Sequence, residues 1–176
     1  ALEFNNSGVP NLIFFKDDEI RLEFDMKDPR GTLFAEGRGS GKINMLRLEQ
    51  FGHQPPKKEW NTKQCVAFSD SLLTAKLNLL KAIYNKESNK KIITDAKNRI
   101  ILQRIIKESP LSKKEDDFLV NIAHQHYYNT IAEFIFSKAP ETINEEAFFN
   151  SPLFKSFNPS EYKKHITDLA FPNSAY

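Results

Sequence analysis

The residues that come closest to a recognisable chemistry are Gly37-Arg38-Gly39-Ser40-Gly41-Lys42. Glycines in such a loop let backbone N–H groups approach an anion, and a lysine at its end meets the anion's charge. On that reading Lys42 and Arg38 are anion-binding residues. The spacing departs from both common nucleotide loops, however. A Walker loop requires glycine where Glu36 stands and Ser or Thr where Ile43 stands, and a GxGxxG loop requires its third glycine one residue beyond Gly41. The plainer reading is a hairpin loop, because the segment leaves one expected strand and enters another rather than a helix.

A second candidate is the stretch from Lys86 to Lys114, where nine basic residues stand against three acidic ones. Lys90, Lys91, Lys97 and Arg104 are its candidate contacts to an anionic surface, either a phosphoinositide headgroup or the phosphates of a nucleic acid. Lysine outnumbers arginine 19 to 6 along the chain, which disfavours base-specific reading, since bidentate contact to guanine favours arginine. The alternative is a solvated face that keeps the protein soluble. Third is an aromatic cluster interrupted by Pro152, in which Phe149, Phe154 and Phe157 either contact a partner or close the end of a helical core.

Other chemistry finds little support. His124 and His126 lie two apart on an expected helix, about 200° around its axis, and so do not chelate one metal. His53 and His165 stand alone in sequence, and neither HExxH nor a Cys/His cluster occurs, so no metal or other cofactor is expected. The single cysteine, Cys65, falls on an apolar helical stripe and reads as a buried thiol rather than a nucleophile. Asp17-Asp18 and Asp116-Asp117 read as turn and first-turn helix residues.

The elements that must position these residues divide at a compositional boundary. All six glycines lie within the first 52 of 176 residues, and Pro55-Pro56 follows directly. Glycine serves tight turns and weakens helix interiors, and paired prolines break regular structure. Before the break, Leu12–Phe15 is a short apolar run, and Ile20, Leu22, Phe24 and Met26 alternate with polar residues as in a half-buried strand. Asp28-Pro29-Arg30-Gly31 fits a type I turn. Thr32–Ala35 is then the returning strand, and Ile43–Leu48 is expected as a further one, with Met45-Leu46-Arg47-Leu48 as the opening of a helix the alternative.

After the break, apolar residues recur at helical spacing over Thr62–Tyr84 and over Lys90–Lys107. A third helix opens at the capping box Ser112-Lys113-Lys114-Glu115 and runs to Lys138, and two short helices follow, around Glu141–Asn150 and from Asn158. The expected fold is therefore α+β, a small N-terminal antiparallel hairpin sheet (residues 1–54) packed against a four- to five-helix bundle (residues 57–176), with the sheet leaning on the Thr62–Tyr84 helix.

Hydrophobic residues at 40% and charged residues at 27% are ordinary for a globular domain, and a net charge of +2 constrains partners little. No apolar run approaches a membrane span, and the N-terminus lacks a signal-peptide pattern, so the expected setting is cytoplasmic, with peripheral membrane attachment allowed. The leading expectation is a non-enzymatic interaction or regulatory module that docks on a protein partner, and on an anionic surface through the basic helix. The alternatives are a nucleotide- or phosphate-binding enzyme using Gly37–Lys42, and an excerpted domain of a larger regulatory or pathogen-effector protein.

Overall fold

In the computed structural model the described residues are 12–48, 51–86 and 96–138. The architecture is α+β. Strands β1 (Glu19–Glu23) and β2 (Phe34–Arg38) form one antiparallel pair, in register from Glu19 opposite Arg38 to Glu23 opposite Phe34. Between them the Asp28–Gly31 turn closes as a single helical turn, α1 (Pro29–Thr32). Asp28 holds it: its carboxylate accepts the Gly31 N–H at 2.9 Å and its carbonyl accepts the Thr32 hydroxyl at 2.6 Å. Because that turn absorbs Thr32, the return strand starts at Phe34 instead. The apolar run at 12–15 forms no strand.

Helices α2 (Ser40–Leu46), α3 (Thr62–Tyr84), α4 (Ala96–Glu108) and α5 (Lys113–Lys138) complete the described elements. The strand expected over Ile43–Leu48 is a helix instead. Residues Ser40 to Met45 are all buried, so α2 has no solvent face and leaves no amphipathic period in the sequence. Helix α3 has the expected span. Helix α5 opens at the expected capping box, where the Ser112 N–H and hydroxyl both donate to Glu115, at 2.9 and 2.7 Å. A reciprocal pair also starts α3: the Asn61 N–H donates to Gln64 Oε1 and the Gln64 N–H to Asn61 Oδ1, each at 2.9 Å. The two helices expected beyond Pro140 lie outside the described residues.

The chain divides into two compact units. The first draws on the chain up to Gly52 and on Lys76–Val120, the second on His53–Ala75 and on the chain from Asn121. The second unit buries Cys65 with Ile122, Ile131 and Phe134, and the Thr130 hydroxyl donates to the Gln54 carbonyl at 3.1 Å. Burial pushes the Cys65 thiol pKa up, which leaves it a weak nucleophile.

In the first unit hydrogen bonds and ion pairs tie the sheet to α2 and to α4 and its end. Asn44 of α2 lies alongside β2 and acts as a substitute strand. Its Oδ1 accepts the Ala35 N–H at 2.9 Å, and its Nδ2 donates to the Ala35 carbonyl at 2.7 Å. The Ser109 hydroxyl, just past α4, donates to the same carbonyl at 2.8 Å. Ala35 and Ser109 are both fully buried, so these bonds satisfy backbone groups that water does not reach. Replacing Asn44 with Leu keeps the volume but orphans the Ala35 N–H. Denaturant unfolding of Asn44→Leu should give a loss of about 2–4 kcal/mol, while the equally conservative change of an exposed residue such as Asn78→Leu should stay within about 0.5 kcal/mol.

Candidate interaction site

The glycine segment leaves β2 and enters the short helix α2, a correction to the expected strand-to-strand loop. Gly39 turns the chain with φ of 86°, a left-handed conformation that L side chains rarely adopt, and a Cβ there would meet Asp18 Oδ1 at 1.9 Å. Gly41 serves a different need, close approach: a Cβ there would stand 2.8 Å from the Ser109 carbonyl and 2.7 Å from Leu111. Two of the loop's glycines are thus required by packing against the chain itself.

The charges of the segment are also answered internally. Lys42 is fully buried, and its ammonium donates to Asp18 Oδ2 at 2.5 Å and to the Gly39 carbonyl at 2.6 Å. It lies 4.3 Å from the centre of the Phe15 ring, and the Phe15 backbone N–H donates to the same Asp18 oxygen at 2.6 Å. The Lys42 N–H, in the first turn of α2, donates to Glu115 Oε1 at 3.1 Å. Glu115 is 2% exposed and therefore serves two helix starts at once, α2 through one oxygen and α5 through the other. An anion does sit at the head of this loop, and it is a carboxylate of the same chain.

The remaining expected site residues separate. Arg38 is exposed and pairs with Glu19 at 2.8 Å. Arg104 is shared among three carboxylates, Glu108 at 2.6 Å, Glu23 at 2.9 Å and Glu36 at 3.2 Å, with its guanidinium 3.7 Å above the Phe34 ring. Hydrogen bonding to Glu108 chiefly, and to Glu23, holds its pKa above the ordinary arginine value. Lys113 pairs with Asp117 one turn along α5. Lys90, Lys91, Phe149, Phe154 and Phe157 lie outside the described residues, as does the side chain of Lys97. Among the described cations of the basic stretch, Lys86, Lys107 and Lys114 are exposed.

In the second unit His53, isolated in sequence, lies 2.9 Å from Glu133 through its Nε2 and 5.7 Å, ring to ring, from His126. Among the described residues no group of three or more His, Cys, Asp or Glu is placed to hold a metal ion, and no helix is long and apolar enough to cross a membrane.

What sequence reading missed is the asymmetry of the sheet. Because Ala35 directs both backbone groups toward Asn44, its opposite number Leu22 directs both of its own the other way, and Ile20, two residues earlier, does the same. The outer edge of β2 is closed by Asn44, Ser109 and Ser40, whose hydroxyl donates to the Gly37 carbonyl at 2.6 Å. Along β1, the outward N–H and C=O groups of Ile20 and Leu22 meet no hydrogen-bond partner among the described residues. The strand presents Glu19, Arg21 and Glu23 as exposed and Ile20 and Leu22 as half-buried. The period of two revealed the strand, while its edge status depends on Asn44 and Ser109, remote in sequence.

Two measurements check these assignments. Lys42→Met leaves the Asp18 carboxylate buried without its cation, so unfolding free energy should fall by about 3–5 kcal/mol, against less than about 1 kcal/mol for Arg38→Met at the surface. The second concerns Lys76, 3% exposed with its ammonium on the Gly52 carbonyl at 2.8 Å. Burial lowers its pKa from 10.5 to about 8. The unfolded chain therefore holds this proton up to pH 10.5 while the folded chain releases it near 8, and stability contributed by this group rises between those values. Relative to Lys76→Met, the wild-type protein should gain up to about 3 kcal/mol across that window in pH-dependent denaturation.

No protein-family model matches the chain, and no similar curated protein or solved structure was found.

Proposed function

We propose that the chain is a non-enzymatic interaction module that docks on a protein partner by strand addition to the outer edge of β1. The observation that carries this reading is the unequal treatment of the two sheet edges. One is closed by side chains that imitate a strand, and the other turns the backbone groups of Ile20 and Leu22 outward. An edge strand with free N–H and C=O groups is a template for an extended segment, whose backbone supplies affinity and whose alternate side chains supply specificity.

The geometry favours this over phosphate chemistry at Gly37–Lys42, since the Lys42 ammonium and N–H are both held by carboxylates of the chain. It also favours a protein over an anionic surface. Arg104 and Lys113, two cations of the basic stretch, already face carboxylates.

Proline at Leu22 removes an N–H that points away from β2, so it leaves the β1–β2 ladder bonded and blocks only the outer edge. Proteins retained by the immobilised wild-type chain through this edge should be lost from the Leu22→Pro chain and kept by Arg38→Met. Identical retention by Leu22→Pro and wild type would remove β1 as the docking edge.

A further inference from the structure

We infer that the segment added to β1 is the β1 strand of a second copy of this chain, paired antiparallel about a twofold axis at Leu22. The inference rests on the reading of β1 as the docking edge and names its occupant. The sheet that results has the order β2–β1–β1–β2, with each copy contributing two strands.

The argument is one of register. Outward-facing residues must oppose outward-facing residues, so a symmetric antiparallel pair is centred on Ile20, Arg21 or Leu22. Centring on Arg21 sets the two Arg21 side chains against each other and Glu19 against Glu23, a row of like charges throughout. Centring on Ile20 also sets Glu19 against Arg21 on both sides of the axis, but it sets apolar Leu22 against Asp18, the carboxylate that holds buried Lys42, and Glu23 against Asp17. Centring on Leu22 matches every pair from Ile20 to Phe24. Leu22 meets Leu22, Ile20 meets Phe24, and Arg21 meets Glu23 on both sides of the axis. Only at the strand ends do like charges meet, Glu19 against Asp25, and Glu19 already holds Arg38 at 2.8 Å.

The exposed face adds a second argument. Within one copy Arg21 pairs with Glu36 directly across the ladder, and Glu23 pairs with Arg104. The Arg21 and Glu23 side chains nonetheless remain 77% and 60% exposed. In the Leu22-centred register they become neighbours, and one row of alternating sign crosses the sheet: Glu36, Arg21, then Glu23 and Arg104 of the second copy. Opposite charges directly across a strand pair attract, and like charges repel. The charge pattern that guards the edge against random pairing therefore selects one partner, itself. A contact of five residues per strand is small, so the association is weak and depends on concentration.

Sedimentation of the full chain at rising concentration tests this. The wild-type chain should pass from monomer to dimer toward hundreds of micromolar. Arg21→Glu and Glu23→Arg should each weaken the dimer by about tenfold, because each sets like charges opposite twice. Mixing those two variants should restore association as a mixed dimer, since each then carries the complement of the other's row. Mixing changes nothing within a chain, so recovery separates the interface from any folding defect. Leu22→Pro should remain monomeric with an unchanged circular dichroism spectrum. A wild-type chain that stays monomeric, a dimer indifferent to these variants, or no recovery on mixing would overturn the inference. If the chain is monomeric yet another protein binds in a manner abolished by Leu22→Pro, the docking edge stands and the second copy is not its occupant.

Discussion

The first unit depends on a single requirement, that a buried backbone N–H must find an acceptor. A two-stranded sheet packed against helices buries one edge without a third strand to cover it. Asn44 resolves this with a side-chain amide, which offers an acceptor and a donor at the spacing a neighbouring peptide would use. Ser109 reinforces it from the end of α4, linked to Asn44 at 3.2 Å. Much else in the unit follows from placing α2 there. Its first turn must enter at a left-handed glycine, its backbone must pass close under Ser109 at Gly41, and its starting N–H must be capped by Glu115.

The same constraint explains why a loop rich in glycine and ending in lysine need not hold a phosphate. A helix start surrounded by glycines attracts negative charge, whatever its source. Here the source is Glu115, already oriented by the capping box of α5. Lys42, drawn inside by its place on a helix with no solvent face, is matched by Asp18. Such buried pairs contribute little net stability against an apolar alternative, because desolvation offsets the attraction, but removing one partner is costly. They fix which way α2 and the Phe15–Asp18 turn can sit, and they do so without leaving charge for a ligand.

How much of this was legible in the sequence follows the locality of each signal. Helix α3 was readable over its full span because an apolar stripe repeats along it, and the start of α5 because Ser112 and Glu115 bond within one turn. The cap Asn61–Gln64 was equally local and could have been read in the same way. Helix α2 was not decided by the sequence, which admits a helix at Met45–Leu48 beside the strand but gives no sign of a helix start at Ser40. Ile43, Met45 and Leu48 fall in near-alternation, as a strand would, and the contacts that hold the segment as a buried helix come from residues 65 to 73 positions away. In sequence Arg104 is one charge of a basic stretch. Its three carboxylates come from β1, β2 and its own helix, which no local window includes.

Amide hydrogen exchange of the dilute monomer, followed residue by residue by NMR, tests the central claim that one sheet edge is closed from within and the other is open. The Ala35 and Lys42 amides, bound by Asn44 and Glu115, should exchange only through large-scale opening of the first unit and so be strongly protected. The Ile20 and Leu22 amides should exchange near the rate of an open chain, while those of Arg21 and Glu23, which alternate with them, are protected by β2. Protection of Leu22 equal to that of Ala35, or rapid exchange at Ala35, would contradict the account.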